Sequence, residues 1–117
     1  MGDTPDHVGH RSRLRARLLD DAEGLADHEL IEYLLALAIP RRDTKPLAKA
    51  LLREFGGIGG LLTADAEALR RVQGMGETSV AAIKIAQAAA IRLLQSDAAA
   101  RPILGNWQAL LDYLHAD

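Results

Sequence analysis

Two glycines around one apolar residue, Gly74-Met75-Gly76, stand between two stretches of helical sequence. Val72 precedes them, and Val80 and Ile83 follow at the spacing of a helix face. Glycines permit so tight a connection that the first backbone amides of the second helix are predicted to be bare and to face outward. Bare amides at a helix start attract anions, and the commonest long anion in a cell is a nucleic-acid backbone. The hairpin therefore predicts a contact with DNA that does not depend on base sequence.

The residues around this hairpin decide how strong such a contact would be. Thr78 and Ser79 can donate hydroxyl hydrogen bonds beside the amides, and Lys84, Arg70 and Arg71 can add positive charge. Glu77 acts against them, because its carboxylate stands at the helix start and repels a phosphate. The alternative is that the glycines only permit a tight turn between two helices.

A second basic cluster consists of Arg41, Arg42 and Lys45, at the predicted start of another helix. We expect it to contact phosphates as well. The arginine-rich stretch 11–17 is either a further backbone clamp or a solvated helix face whose arginine stems cover apolar surface. The candidate DNA-binding residues are Gly74, Met75, Gly76, Thr78, Ser79, Lys84, Arg41, Arg42, Lys45, Arg70 and Arg71.

A weak internal repeat connects the two clusters. Ile39-Pro40 followed by Leu47 matches Val72-Gln73 followed by Val80, and each pair marks a helix end that leads through a short connection into a new helix. Two such copies would present two hairpins to the two strands of a duplex. The sequence is compatible both with a genuine duplication and with a chance match.

Catalytic and metal-binding patterns are not found in the sequence. His7 and His10 have a spacing that invites a metal site, but there is no cysteine and no carboxylate helix to complete one. No Ser-His-Asp arrangement, phosphate-binding loop or paired-carboxylate pocket can be assembled. We expect a non-catalytic chain without a cofactor.

Composition favours small packed helices. Leu and Ala dominate, the aromatic residues are one Phe, two Tyr and one Trp, and 14 basic residues face 16 acidic ones, for a net charge of −2. This near balance is unusual for a strong DNA binder. The absence of cysteine, of a long apolar run and of a signal-peptide core predicts a cytoplasmic protein.

The elements that would position these residues follow from capping and breaking signals. We predict a disordered lead over 1–9, a helical domain over 10–95, a linker over 96–105 and one further helix over 106–117. Asp27 is expected to cap a helix over 29–38 that Pro40 ends, and Asp43 or Thr44 to cap the next helix. Gly56 is expected to stop that helix, Asp65 to cap a small helix up to Val72, and a long helix to run over 77–95.

Several separated blocks resemble one protein family. Gly9-His10-Arg11, the run 25–32, the run 38–48, Phe55-Gly56-Gly57-Ile58 and the glycine hairpin are similar, in this order, to the N-terminal, UPF0758-type region of the RadC family, which is named for DNA repair. The resemblance covers about residues 9–95. It implies an all-α bundle of short helices with a tandem helix-hairpin-helix-like arrangement.

The resemblance also implies a second domain after this region. Full-length members of the family carry a JAB1/MPN-type, zinc metalloprotease-like domain, and the stretch 101–117 resembles the entry into it. Zinc is therefore expected only in that absent domain, which would be a partner in the same chain. The expected function is non-catalytic binding of the DNA backbone, including branched or single-strand-containing DNA, in repair or recombination. The alternative is a protein-interaction or regulatory domain that positions the metalloprotease-like domain without touching DNA.

Overall fold

The structure, a computed structural model, describes residues 6–96, and this range contains α-helices and one 3-10 turn but no strand. The predicted all-α class is therefore confirmed. The helices are α1 (Asp6–Asp21), α2 (Asp27–Ala38), α3 (Lys45–Phe55), α4 (Ile58–Leu62), α5 (Ala66–Arg70) and α6 (Glu77–Gln95), with the 3-10 turn at Ala22–Gly24. Over these residues, no helix has the length and apolar character that a membrane crossing needs.

The first two helices begin earlier than their capping signals predict. α1 starts at Asp6, so residues 6–9 of the predicted disordered lead are helical. α2 starts at Asp27 rather than being capped by it, and Ala26 holds the cap position. The Ala26 amide donates to Glu29 Oε1 over 2.9 Å. Glu29 in the first turn thus binds the amide of the cap residue, whereas the predicted Asp27 cap would have accepted from an amide inside the first turn.

Two polar side chains stabilise the connection between α2 and α3 by hydrogen bonds. Thr44 occupies the N-cap position, yet its hydroxyl donates to the buried carbonyl oxygen of Glu32 over 2.8 Å. Asp43 Oδ1 instead accepts from the Lys45 amide over 3.0 Å. Asp43 therefore caps the helix start with its side chain, while Thr44 ties the connection back to α2.

The later elements follow the predictions closely. Gly56, with a φ of +77°, ends α3 in the left-handed conformation that glycine adopts without strain. Asp65 caps α5 by accepting from the Ala68 amide over 2.8 Å, and α5 ends at Arg70 rather than at Val72. α6 has the predicted bounds. The predicted linker beyond Ser96 and the predicted helix over 106–117 lie outside the described residues.

The described residues fall into two units that divide after Lys84, inside α6. In the first unit, α1 packs on α2, α2 on α3, and α3 on α4. Its core joins residues from α2 through the first part of α6: Ile31, Leu35, Leu47, Ala48, Leu51, Leu61, Leu69, Val80 and Ile83. This core fixes the two connections that carry the candidate site.

Candidate nucleic-acid interface

A side chain of α6 accepts a hydrogen bond from one of the backbone amides at the start of that helix. The Gly76 carbonyl accepts from the Val80 amide over 2.9 Å, which makes Gly76 the residue that precedes the helix. The Gly76 amide donates to Ser79 Oγ over 2.8 Å, and Ser79 is only 1% exposed. One of the amides predicted to be bare is therefore occupied, and the Ser79 hydroxyl serves the helix start rather than the surface.

Three amides remain at this helix start. Within the described residues, those of Glu77, Thr78 and Ser79 have no backbone or side-chain acceptor, as expected for the first turn of an α-helix. Thr78 is exposed beside them, so its hydroxyl faces solvent. Because Ser79 is buried, the anion-binding character of the hairpin rests on the amides of Glu77 and Thr78 and on one hydroxyl.

The two glycines of the hairpin have different roles. Gly74 has a φ of +101°, a backbone conformation that residues with a side chain rarely adopt. Gly76 has no positive φ, and a Cβ built on it would meet no atom within 4 Å. Met75 is half-buried and packs against the core. The backbone therefore requires glycine at position 74 but not at position 76.

Gly74 also brings the two connections together. A Cβ at this position would lie 3.2 Å from Leu47 Cδ1 and 3.6 Å from Arg42 Nη2. The glycine connection before α6 therefore abuts the basic connection before α3. Arg41, Arg42 and Lys45 are all exposed. The predicted basic cluster and the predicted hairpin thus share a surface.

Arg70 is engaged by carboxylates. Its Nε donates to Glu77 Oε2 over 2.9 Å, and its Nη1 donates to Glu67 Oε1 over 2.5 Å. The hydrogen bond from Arg70 and its positive charge hold the pKa of the Glu77 carboxyl below its ordinary value. Arg70 is therefore neutralised within the protein, although its sequence position suggested a phosphate contact.

The other two predicted cations lie away from the helix start. Lys84 Nζ is 3.5 Å from the carbonyl oxygen of Ala64. Lys84 therefore reaches the connection between α4 and α5. Arg71 lines a surface groove beside Glu54 and Phe55. Of the predicted cations, Arg42 is the one that the structure places against the hairpin.

Two of the α1 arginines hold the fold. The Arg11 guanidinium donates to the carbonyls of Pro40 and Ile39, the latter over 3.3 Å, and so satisfies the end of α2. Arg17 donates to Glu29 Oε2 over 2.8 Å and to the Gly24 carbonyl over 3.1 Å. Neither alternative for the stretch 11–17 included these contacts with backbone carbonyls. Because Arg11 and Arg17 make them, these two side chains are not available as a clamp on a DNA backbone.

Sequence reasoning missed a close contact between a buried glutamate and a histidine. Glu32 lies on α2 with its side chain 2% exposed, and its Oε2 is 2.9 Å from His10 Nε2 on α1. A glutamate beside Ile31, inside an apolar helical run, was the signal that could have found it. In residues 6–96, no group of three or more His, Cys, Asp and Glu residues is placed to hold a metal ion.

The two halves of the predicted repeat correspond in the structure, with one residue of offset. The Ile39 carbonyl accepts from the Arg42 amide, and the Val72 carbonyl accepts from the Met75 amide. The first connection then contains one more residue before its cap. Counted from the caps Thr44 and Gly76, α3 buries Leu47, Ala48 and Leu51, and α6 buries Ser79, Val80 and Ile83. These three burial positions are the same in both helices.

Comparison with known proteins finds similar sequences. The chain is 50% identical over 103 residues to a UPF0758 protein of Rhodobacter capsulatus, a match that covers 87% of this chain and 48% of that protein. The chain thus spans about half the length of this curated relative. No family model matches the chain, and no solved structure matches it.

Proposed function

Because the chain belongs to the UPF0758 (RadC-type) family, as its sequence blocks predict, we propose that it is a non-catalytic module that binds the DNA backbone. The contact is independent of base sequence and involves the α5–α6 hairpin together with the basic connection before α3. It serves DNA repair or recombination in the cytoplasm, on branched or single-strand-containing DNA. As the family resemblance implies, a zinc metalloprotease-like domain in the same chain would be the partner that this module delivers to DNA.

The observation that carries this proposal is the approach of Arg42 to Gly74. Arg42 Nη2 lies 3.6 Å from where a Gly74 Cβ would be, so a guanidinium stands beside the hairpin. Arg41 and Lys45 add exposed positive charge on the same connection. The exposed amides of Glu77 and Thr78 at the start of α6 supply hydrogen-bond donors that suit phosphate oxygens.

The same surroundings predict modest affinity. Glu77 lies at the helix start, Arg70 is shared between two carboxylates, and the net charge of the chain is −2. Affinity for DNA depends on the number of phosphates that cations neutralise. With two or three such contacts, the logarithm of the binding constant falls with the logarithm of the salt concentration at a slope of about −2 to −3.

A salt titration tests the proposal. Binding of a short duplex is measured by fluorescence anisotropy between about 50 and 200 mM salt, for the wild type, Arg42→Gln and Arg53→Gln. Arg53 is an exposed arginine in the last turn of α3 and serves as the charge-matched control. We expect Arg42→Gln to weaken binding and reduce the slope by about 0.9, and Arg53→Gln to behave like the wild type. Equal effects of both variants would contradict a site at the hairpin.

The second candidate is a protein-interaction or regulatory module that never touches DNA. The paired Glu77 and the nearly balanced charge favour it. It predicts that the backbone amides of residues 74–79 do not shift in an NMR titration with excess branched duplex at low salt. Shifts confined to these amides and to the Arg41–Lys45 connection would exclude it.

A further inference from the structure

A groove runs along α3 on the side that faces the α5–α6 connection. It consists of two adjoining depressions, and Ala50, Val72 and Gln73 line both of them. Arg42 and Gly74 lie at one end, together with Pro46 and Leu47, and Phe55 and Arg71 lie at the other end. We call it the α3 groove. It therefore begins at the glycine of the hairpin, and both apolar and polar side chains line it.

We propose that the α3 groove takes an unpaired nucleobase of the DNA whose backbone the hairpin holds. This inference rests on the proposed function and gives it a structural preference: DNA with an extrahelical base binds better than a fully paired duplex. The hairpin holds phosphates without reading sequence, and the groove distinguishes an unpaired base from a paired one.

The chemistry of the lining suits a base. A nucleobase has two apolar faces and a polar edge, and the groove offers Ala50, Val72 and Phe55 below, with the exposed Gln73 amide at its rim. An amide side chain both donates and accepts, so it can pair with the edge of any base. Proteins read unpaired bases in this way, by stacking and by hydrogen bonds to exposed edges.

The charges at the two ends also fit a nucleotide chain. Arg42 and Arg71 stand at opposite ends, where they can meet the phosphates on either side of an inserted base. Two acids also line the groove. The Asp43 carboxylate is occupied by the Lys45 amide, and Glu54 lies at the Arg71 end. Each end therefore carries one arginine and one carboxylate.

The test compares three duplexes of equal length, by anisotropy at low salt: fully paired, with one extrahelical thymine, and with an abasic residue at the same bulge. The abasic bulge bends the backbone in the same way but offers no base. Ala50→Met fills the groove from a helical position that accepts Met, and Gln73→Ala removes the amide. Ala89→Met, at an exposed position of α6, is the matched control.

We expect the wild type and Ala89→Met to prefer the thymine bulge over the abasic bulge by about five-fold or more. Ala50→Met and Gln73→Ala should lose that preference and keep their affinity for the paired duplex. Binding of all duplexes without preference, or a preference that both variants retain, would overturn the groove proposal and leave the backbone contact standing. Failure to bind any duplex would overturn both. Groove amide shifts that depend on protein concentration alone would assign the groove to a second copy of the chain and also overturn the proposal.

Discussion

Arg70 Nε donates a hydrogen bond to Glu77 Oε2 over 2.9 Å, so the last residue of α5 holds the first residue of α6. This pair sits at the helix start where three amides have no acceptor among the described residues. It occupies a cation that a phosphate would use and leaves a carboxylate beside the amides. The pair therefore sets the limit on how well this hairpin can hold an anion.

Removing the Glu77 charge should strengthen DNA binding. Glu77→Gln releases Arg70 and removes the carboxylate from the helix start, so duplex affinity should rise and the salt slope should steepen by about 0.9, one phosphate contact. Glu67→Gln removes the other partner of Arg70 and leaves Glu77 in place, so it should have a smaller effect. Anisotropy titrations measure both. Equal affinity for Glu77→Gln and the wild type would show that no phosphate approaches α6.

The two hairpin glycines should respond differently to alanine. Gly74→Ala forces a side chain into a φ of +101° and places its Cβ 3.2 Å from Leu47 Cδ1, at a cost of about 1–3 kcal/mol. Gly76→Ala meets nothing and should leave the free energy of unfolding within about 0.5 kcal/mol. Urea denaturation followed by circular dichroism compares them. A destabilised Gly76→Ala would contradict the assigned hairpin geometry.

Substitutions of Arg11 and Arg13 should distinguish an arginine of α1 that stabilises the fold from one that lies on the surface. Arg11→Gln removes the donors to the carbonyls that end α2 and should lower the free energy of unfolding by about 1 kcal/mol. Arg13 is exposed, and Arg13→Gln should leave stability unchanged. Urea denaturation measures both. A loss of duplex affinity in Arg13→Gln with unchanged stability would revive the clamp alternative for α1.

Glu29 should make stability depend on pH in the acidic range. The Ala26 amide and then Arg17 hold the pKa of the Glu29 carboxyl below its ordinary value of 4.5. A carboxyl with a lowered folded-state pKa stabilises fully above its unfolded pKa and loses that contribution as the pH falls through the folded value. Glu29→Gln should thus be less stable than the wild type near pH 7, by about 1 kcal/mol or less because the pair is partly exposed. The gap should close below pH 4.5, and a gap that persists there would contradict this assignment.

The buried pair between α1 and α2 should respond asymmetrically to substitution. His10→Ala removes the polar group that lies 2.9 Å from Oε2 of the buried Glu32 and should destabilise by about 1–3 kcal/mol. The double change His10→Leu with Glu32→Leu replaces the pair by apolar packing and should recover most of that loss. Thermal unfolding of the three proteins checks this. A double variant less stable than His10→Ala would show that the pair contributes more than its own desolvation costs.

Local signals predicted the elements well where one residue decides the backbone. Gly56 ends α3 and Asp65 caps α5 as expected, because a left-handed glycine and a capping carboxylate act within one turn. α2 starts two residues before its predicted bound, and Ala26 rather than Asp27 holds the cap position, with its amide bound by Glu29. The early start of α1 had no such local signal.

The candidate site was less predictable, because its side chains had alternative partners. Ser79 and Arg70 have side chains that could bind phosphate, but each is hydrogen-bonded within the protein, Ser79 to the Gly76 amide and Arg70 to Glu77. The local sequence does not show which of these partners a side chain takes. Lys84 faces Ala64 instead of the hairpin. Helical spacing gives the direction of a side chain, whereas its partner depends on which element packs opposite.

The sequence alone determined the helical class, the position of the hairpin and the family, because periodicity, glycines and motif blocks are properties of adjacent residues. Tertiary structure decided what these residues can do together. The approach of Arg42 to Gly74, the α3 groove and the burial of Glu32 against His10 all join segments that are distant in the chain. Such contacts depend on how the helices pack around the core, and packing chooses among many arrangements that are equally compatible with local pattern.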